Sequence, residues 1–436
     1  MRLFFRKRKL FVWLILLSFS AFFSFAFLQP QSNSSGVKGS RKMSFIEGLL
    51  WKHPDKFAKV LSNPKFYRLQ IIYTQINRDS NNVPHFKQYT YRLNPKEYFY
   101  PASLVKIPVV AMALQKLNEL NIPGLDKFSR MKTDSAYSCE QNVLTDSTAQ
   151  NGFPSVANYI RRAMLVSDND AYNRLYEFLG QKYMNINLTA RGYKTARIIN
   201  RFYNCDTLAN RYTNPITFFN QSGEAVYSQP LEYSPNLLKN VYGKVLVGKG
   251  YIENGSEGKP VNHPKEFTYA NYLNLQDASD ILRSIIFPNA VPKEKRFNLT
   301  KEDYRFLYRY LSMYPSESDF PSYKRKDFGD SFKKYFIYGN FQDTITDKNL
   351  RIFNHVGQAY GFLSDCSYVV DFENKVEFML AATIYVNKDG IINDGKYEYK
   401  DIGFPFLAEL GKAIYEYEKK RTRKVKPDLK EFRMEY

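Results

Sequence analysis

The 436-residue chain has 63 lysines and arginines against 43 aspartates and glutamates, a formal net charge of +20, with 44% hydrophobic and 24% charged residues. This composition indicates a folded protein with a sizeable core, in one large domain or two medium ones, and excludes disordered and collagen-like chains. Much of the charge lies at the chain ends, and no nucleic-acid-binding motif accompanies it. We therefore expect a basic surface that faces anionic lipid or cell wall, and no nucleic-acid partner.

The N-terminus predicts export. Five basic residues within the first nine precede an uncharged apolar run over 10–28, which is just long enough to span a bilayer. The positive-inside rule places the rest of the chain across the membrane, so we predict a periplasmic or cell-envelope protein. Two outcomes stay open, a cleaved signal peptide or a membrane anchor within 1–28. Residues 29–42 have the composition of a linker, 43–420 are predicted as the globular domain, and 421–436 as a basic tail.

The predicted elements begin and end with strands, with helices between them. In chain order they are strands at 68–76 and 87–93, helices at 103–120 and 155–166, a helix resuming after 167–170 and ending at Gly180, helices at 277–286 and 301–314, strands at 367–372 and 376–386, and a helix at 404–417. This order predicts an α+β fold, in which both chain ends complete one antiparallel sheet around a helical block.

The cysteines and histidines predict no metal or cofactor. Cys139, Cys205 and Cys366 lie far apart, match no metal-ligand spacing and are accompanied by only four scattered histidines. Their odd number allows at most one disulfide with one thiol left over. The alternative is that all three are small buried hydrophobic residues.

The first chemical motif is Ser103-Leu104-Val105-Lys106. Residues three apart share one face of a helix, so the Lys106 amine can reach the Ser103 hydroxyl. A lysine that is partly desolvated has a lowered pKa and can take the proton of a serine nucleophile. The same spacing occurs elsewhere, for example at Ser331 to Lys334, but only Ser103 opens a strongly apolar helix. The alternative is a lysine that reaches solvent from the start of a helix.

Two further segments carry polar groups at the ends of elements. Ser167-Asp168-Asn169 falls where one helix stops and another begins, so it is either a capping segment or part of a site. His355-Val356-Gly357 precedes the late strands, and it is either an ordinary strand entry or a cation beside a glycine that lets a ligand approach the backbone.

Taken together, Ser-x-x-Lys, Ser-Asp-Asn and a cation-x-Gly strand, in that order, resemble the motifs of class A β-lactamases and the related penicillin-binding proteins. The resemblance covers roughly residues 66–417. The interval from Ser103 to Ser167 is close to that of the family, whereas the interval from Ser167 to His355 is longer. The chain is therefore expected to carry insertions before the third motif, at about 212–272 and 315–351, each able to form a lid or a recognition surface.

The resemblance implies a role for each motif residue. Ser103 would be the nucleophile, Lys106 its base, and Ser167 the group that relays a proton to the leaving nitrogen. Asn169 would hold a substrate amide and His355 would attract a substrate anion. The backbone N–H groups of Ser103 and Gln358 would form the oxyanion hole, and Gly357 would keep the edge strand open to substrate.

Two departures from the family pattern affect the expected activity. His355-Val356-Gly357 replaces the usual Lys-Thr-Gly, so the cation becomes titratable and a hydroxyl is lost. The stretch 181–223 has no glutamate where class A enzymes carry the group that activates water, and Asp206 is its single carboxylate and the candidate deacylation base. Tyr203, near the expected position, is not a general base at neutral pH.

The sequence thus predicts an exported serine hydrolase that β-lactams or related acyl-D-alanyl peptides acylate at Ser103, with slow deacylation. One alternative is a peptidoglycan DD-peptidase or other cell-wall acyl hydrolase. The other is a non-catalytic cell-envelope binding protein with the same fold.

Overall fold

The computed structural model describes residues 43–136, 139, 141–203 and 205–436. The export segment predicted at 1–28 and the linker predicted at 29–42 lie outside the described residues. None of the helices within the described ranges combines the length and apolar character that a membrane span requires. Residues Met43–Tyr436 form one compact unit.

The strands are of two kinds: long ones near the chain ends, and short ones mostly in the middle of the chain. The strands are β1 (Gln70–Arg78), β2 (Pro84–Tyr91), β3 (Arg130–Thr133), β4 (Ile216–Phe219), β5 (Ala225–Gln229), β6 (Leu246–Val247), β7 (Gly250–Ile252), β8 (Pro260–Val261), β9 (Lys265–Glu266), β10 (Leu350–Ala359), β11 (Phe362–Asp371), β12 (Val376–Tyr385) and β13 (Ile391–Ile392). The helices are α1 (Phe45–Leu50), α2 (Pro54–Leu61), α3 (Lys106–Leu120), α4 (Val156–Val166), α5 (Asn169–Ala190), α6 (Leu275–Ile286), α7 (Lys301–Ser312) and α8 (Phe404–Lys420).

A five-stranded antiparallel sheet in the order β10-β11-β12-β1-β2 joins the two ends of the chain. In the register, Tyr73 of β1 lies opposite Leu380 of β12 on one side and Tyr89 of β2 on the other. Every residue of β11 and β12 is buried, because both faces of the sheet are covered. The α+β fold and its antiparallel sheet are as predicted. Strand β10, which carries the third motif, is an edge strand.

Each face of the sheet has its own hydrophobic core. One contains side chains of α1, α2 and α8, such as Ile46, Phe57 and Leu407. The other contains side chains of α3 to α7, with Met112 and Leu175 among them. The helical block therefore covers the face that carries the site, as the order of elements predicts.

Some element boundaries differ from the predicted ones for identifiable reasons. Strand β1 starts after Arg68 because Arg68 has a left-handed φ of 42°. Ser103 precedes the helix, in a turn of 3₁₀ helix at Ala102–Val105, and α3 begins at Lys106. Gly180 interrupts α5 with φ 71° and ψ 150°, but helical structure resumes after it and continues to Ala190.

The C-terminal segment 421–436, predicted as a basic tail, packs against the domain. Leu429 and Phe432 are each 1% exposed and belong to the core of the helical block. The Phe432 ring lies 4.9 Å from the ring of Tyr368 on β11. The Arg351 guanidinium of β10 lies 4.0 Å from the centre of the Tyr436 ring. The apolar residues of this segment outweigh its charges in deciding where it lies.

The cysteines form one disulfide and leave one thiol, as their odd number allows. Cys139 is bonded to Cys205, with 5.7 Å between their Cα atoms. Cys366 is a buried free thiol on β11, opposite His355 in the sheet register.

Candidate active site

The turn that carries Ser103 projects one half-buried hydroxyl from a buried segment. Ala102 before it has a left-handed φ of 44°, unusual for a residue with a side chain. The Leu104 N–H donates to the Pro101 carbonyl at 3.0 Å and closes the turn. Strained backbone of this kind is often found at functional sites, where the surrounding structure holds it in place.

Lys106 opens α3 and is fully buried, because every residue of the following two turns is buried as well. Its Nζ donates to the Ser167 carbonyl at 2.5 Å and to Asn169 Oδ1 at 2.9 Å, and lies 3.1 Å from Ser167 Oγ. Burial lowers the pKa of the Lys106 amine well below its usual range, and the opposing charge of Asp168 only partly offsets this. A neutral amine at this position can accept a proton.

Among the described residues, Ser103 Oγ has no direct hydrogen bond to Lys106. Catalytic hydrogen bonds are often long in an empty site and shorten when substrate binds. The face shared by Ser103 and Lys106 is therefore consistent with proton transfer, and the Lys106 amine already contacts the second motif.

The second motif serves both as a helix cap and as part of the site. Asp168 caps α5 by accepting the Ala171 N–H at 3.0 Å, and it pairs with Arg162 at 2.9 Å. Ser167 ends α4 in the left-handed region with φ 58°. This backbone turn directs Ser167 and Asn169 to Lys106. The cap is therefore Asp168, and the flanking residues belong to the site.

His355 lies on β10 with none of its surface exposed. Its Nε2 is 3.4 Å from Ser167 Oγ, and its Nδ1 is 3.5 Å from Lys333 Nζ. Burial, together with the charges of Lys333, Lys106 and Lys334, lowers the pKa of His355 well below its usual range. This environment favours the neutral imidazole, which lies between Ser167 and Lys333, and so does not favour the expected role of His355 as the group that attracts a substrate anion.

Gly357 is required by a close approach between two segments of the protein. A Cβ at this position would lie 2.3 Å from the Pro101 carbonyl oxygen and 2.7 Å from Ser364 Oγ. The glycine thus lets the Ser103 turn pack against β10, which differs from the expected role of keeping the strand open to substrate. The neighbouring Gln358 is exposed, and its Oε1 accepts the Tyr335 hydroxyl at 3.1 Å.

Asp206 does not join the other predicted site residues. Its carboxylate is exposed and accepts the Ala209 N–H at 2.6 Å. This bond ties Asp206 to the start of the short turn at Ala209–Arg211, and Asp206 is not among the residues that line the cavity at Ser103. The structure gives no support to its expected role as deacylation base.

A cavity of about 650 Å³ opens at Ser103. The motif residues that line it are Ser103, Ser167, Asn169, Val356 and Gln358. The expected insertions contribute Ser256 from the first and Phe332, Lys333, Tyr335 and Asn340 from the second, and the loop after β12 contributes Asn393, Gly395, Tyr397 and Tyr399. No carboxylate from the described part of the chain lines the cavity, whereas Lys333 does. The cavity therefore suits an anionic compound. Apart from its basic residues, it has no described side chain that could act as a general base toward water near neutral pH.

Lys333 and Tyr335 are site residues that the sequence analysis missed. Both lie in the segment treated only as an insertion, and the Ser331 to Lys334 spacing is one of the chance matches to the first motif. Nothing in the local pattern distinguishes Lys333 from other basic residues of this segment. Its position depends on contacts with β10 across 22 residues of chain.

The geometry suits one kind of chemistry. A buried lysine that contacts a serine and an asparagine, next to a second serine on a strained turn at a cavity, has the groups that serine acyl transfer requires. Among the described residues, no group of three or more His, Cys, Asp or Glu side chains is arranged to hold a metal ion.

The sequence comparison supports a family resemblance over part of the chain. Residues 65–249 match the sequence model of the Beta-lactamase enzyme family, a segment that contains Ser103, Lys106, Ser167 and Asn169. The fold class and this match confirm the resemblance predicted from the motifs. A comparison with curated proteins gives no match.

Solved structures with similar folds include three β-lactamases. The β-lactamase of Sphaerobacter thermophilus is 11% identical, with a TM-score of 0.47, over 84% of this chain and 97% of its own. The chromosome-encoded β-lactamase of Vibrio parahaemolyticus is 12% identical, with a TM-score of 0.44, over 84% and 98%. A β lactamase of Xanthomonas campestris pv. campestris is 12% identical, with a TM-score of 0.43, over 85% and 97%.

Proposed function

We propose that this protein is an exported serine hydrolase that β-lactams or related acyl-D-alanyl peptides acylate at Ser103. The observation that carries the proposal is the contact of the buried Lys106 amine with Ser167 and Asn169, at a cavity that Ser103 lines. A binding protein has no need for a desolvated amine in contact with a serine and an asparagine. The family match supports the same chemistry.

In the proposed acylation, Ser103 Oγ attacks the substrate carbonyl carbon while Lys106 accepts the hydroxyl proton. The C–N bond then breaks, and Ser167, which lies between Lys106 and His355, passes a proton to the leaving nitrogen. The product is an ester at Ser103. Asn169 holds the substrate amide, and the N–H groups of Ser103 and Gln358 stabilise the oxyanion.

Deacylation is the slow step in this proposal. Water must be deprotonated before it can attack the Ser103 ester, and no carboxylate among the described residues lines the cavity. Loss of a positioned general base typically slows a step by about a hundred- to ten-thousandfold. This observation favours a second candidate function, a cell-wall DD-peptidase or other acyl hydrolase, over an efficient β-lactamase.

The proposal is tested by treating the full-length protein with a fluorescent penicillin and measuring its intact mass. The wild type should gain one label and Ser103→Ala none. Ser62→Ala is the matched control, because Ser62 is an exposed serine with the same spacing to a lysine, and it should label normally. Lys106→Ala should slow labelling by about a hundredfold or more with the fold intact. Stoichiometric labelling of Ser103→Ala would overturn the proposal.

Export is supported by the basic and apolar segments of the N-terminus, with residues 10–28 as a cleaved signal or an anchor. A fusion of residues 1–42 to a reporter that is active only outside the cytoplasm tests it. An inactive reporter in cells that make the fusion in full would contradict export.

A further inference from the structure

Lys333 is held in place by backbone contacts that are independent of its charge. Its φ of 63° lies in the left-handed region, which is unfavourable for a lysine. The Lys333 N–H donates to Asn340 Oδ1 at 3.1 Å, and its carbonyl accepts from Asn354 Nδ2 at 2.7 Å. These contacts fix the strained backbone and direct a side chain that is 3% exposed to the cavity at Ser103.

The neighbouring Lys334 provides a comparison, because all of its hydrogen bonds are made to protein oxygens. Lys334 Nζ donates to the Leu311 and Ile352 carbonyls and to Asn354 Oδ1, at 2.9, 2.6 and 2.7 Å. These three oxygens match the three donors of an ammonium group. Within the described ranges, Lys333 Nζ has one hydrogen-bond partner, His355 Nδ1 at 3.5 Å. Two of its donors therefore have no acceptor from the described residues.

The titratable groups that face Lys333 are mostly basic. They are Lys106, Lys334 and His355, and Asp365 is the carboxylate that opposes them. Asp365 already accepts four hydrogen bonds, from the Tyr335 and Phe336 N–H groups, Asn354 Nδ2 and Ser367 Oγ. It makes no ion pair with Lys333 within the described structure. When such an amine at a cavity is protonated, an external anion can supply the ion-pair partner that the protein does not.

We propose that Lys333, contributed by the second insertion, binds the carboxylate of the acylating substrate in place of His355. This inference rests on the proposed function, because it assigns the anion to the same cavity. The neutral His355 separates Lys333 from Ser167, and the anion would lie on the Lys333 side of the cavity.

The experiment measures binding without acylation. The full-length Ser103→Ala protein is titrated calorimetrically with N-acetyl-D-alanyl-D-alanine and with its methyl ester, which lacks the carboxylate charge. We expect the acid to bind more tightly than the ester. Adding Lys333→Gln, which keeps a donor toward His355 but removes the charge, should weaken binding of the acid by about 10- to 100-fold, the usual range for a charged hydrogen bond, and leave the ester unchanged.

Three further variants complete the test. Lys333→Arg should retain the preference for the acid. Lys326→Met, which removes an exposed charge from the same insertion, should change neither Kd. Lys333→Met should behave like Lys333→Gln, and thermal melts of both show whether the fold is kept. Equal weakening of acid and ester by the Lys333 variants, or no preference for the acid in Ser103→Ala, would overturn the inference. Failure of Ser103 to label with penicillin in the wild type would instead overturn the proposed function.

Discussion

Glu177 and Arg201 form a buried ion pair whose removal should destabilise the protein strongly. Both side chains are fully buried, and Glu177 Oε1 accepts from Arg201 Nη2 at 2.7 Å and Nε at 3.1 Å. Glu177 Oε2 also accepts the Asn214 N–H at 2.6 Å. Glu177 on α5 thus holds both ends of the loop 201–214. In Glu177→Ala, the Arg201 charge remains buried without a carboxylate.

Breaking a buried pair from one side typically costs about 3–5 kcal/mol. The unfolding entropy of the roughly 390 residues from Met43 to Tyr436 is about 0.8 kcal/mol per kelvin, so Tm should fall by about 4–6 °C. The assay is thermal melting followed by circular dichroism, with urea unfolding for the free energy. Glu416→Ala is the control, because its pair with Lys419 is exposed and should contribute about 0.5 kcal/mol or less. A loss below about 1 kcal/mol in Glu177→Ala would refute the argument that burial decides the value of this pair.

Three further predictions concern the site and the cysteines. A penicillin adduct at Ser103 should persist for minutes or longer by intact mass, and Asp206→Asn should leave its lifetime unchanged; rapid turnover without an accumulating adduct would contradict this. Burial lowers the pKa of Lys333 to about 7, despite the opposing Asp365 charge, so affinity for the acid probe should fall as pH rises above about 7 while affinity for the ester stays constant. A flat profile for the acid would contradict it. Cys205→Ser should lower the free energy of unfolding by about 2–4 kcal/mol in urea, because the disulfide closes a loop with a sequence separation of 66; an unchanged midpoint would show that the bond adds nothing.

The sequence predicted the parts of the fold and site that depend on local pattern. Alternating and apolar runs identified the long strands and the helices, because these patterns follow the geometry of each element. The three motifs correctly predicted that Lys106, Ser167 and Asn169 lie close together, because the start of a helix and the junction between two helices fix the directions of these side chains. The Ser167-Asp168-Asn169 junction also serves as a helix cap, as its sequence predicts, through Asp168.

The parts that failed depend on packing between distant segments. The lowered pKa of His355 follows from its burial and from three lysines, two of which come from an insertion with no pattern of its own. The role of Gly357 follows from the approach of Pro101, which no local rule predicts. The position of Asp206 follows from a turn in which its carboxylate accepts a backbone N–H, a common local role for aspartate.

The second insertion also covers part of the edge of the large sheet. An edge strand such as β10 presents unpaired backbone groups that can template aggregation. Lys334 donates to the Ile352 carbonyl of this strand, and Asn354 bonds back to the Lys333 carbonyl. The Lys334 amine thus stands where the N–H of a neighbouring strand would be. The segment that shapes the cavity therefore also shields the sheet from edge-to-edge pairing, so shortening it to widen the cavity would expose a strand that promotes self-association.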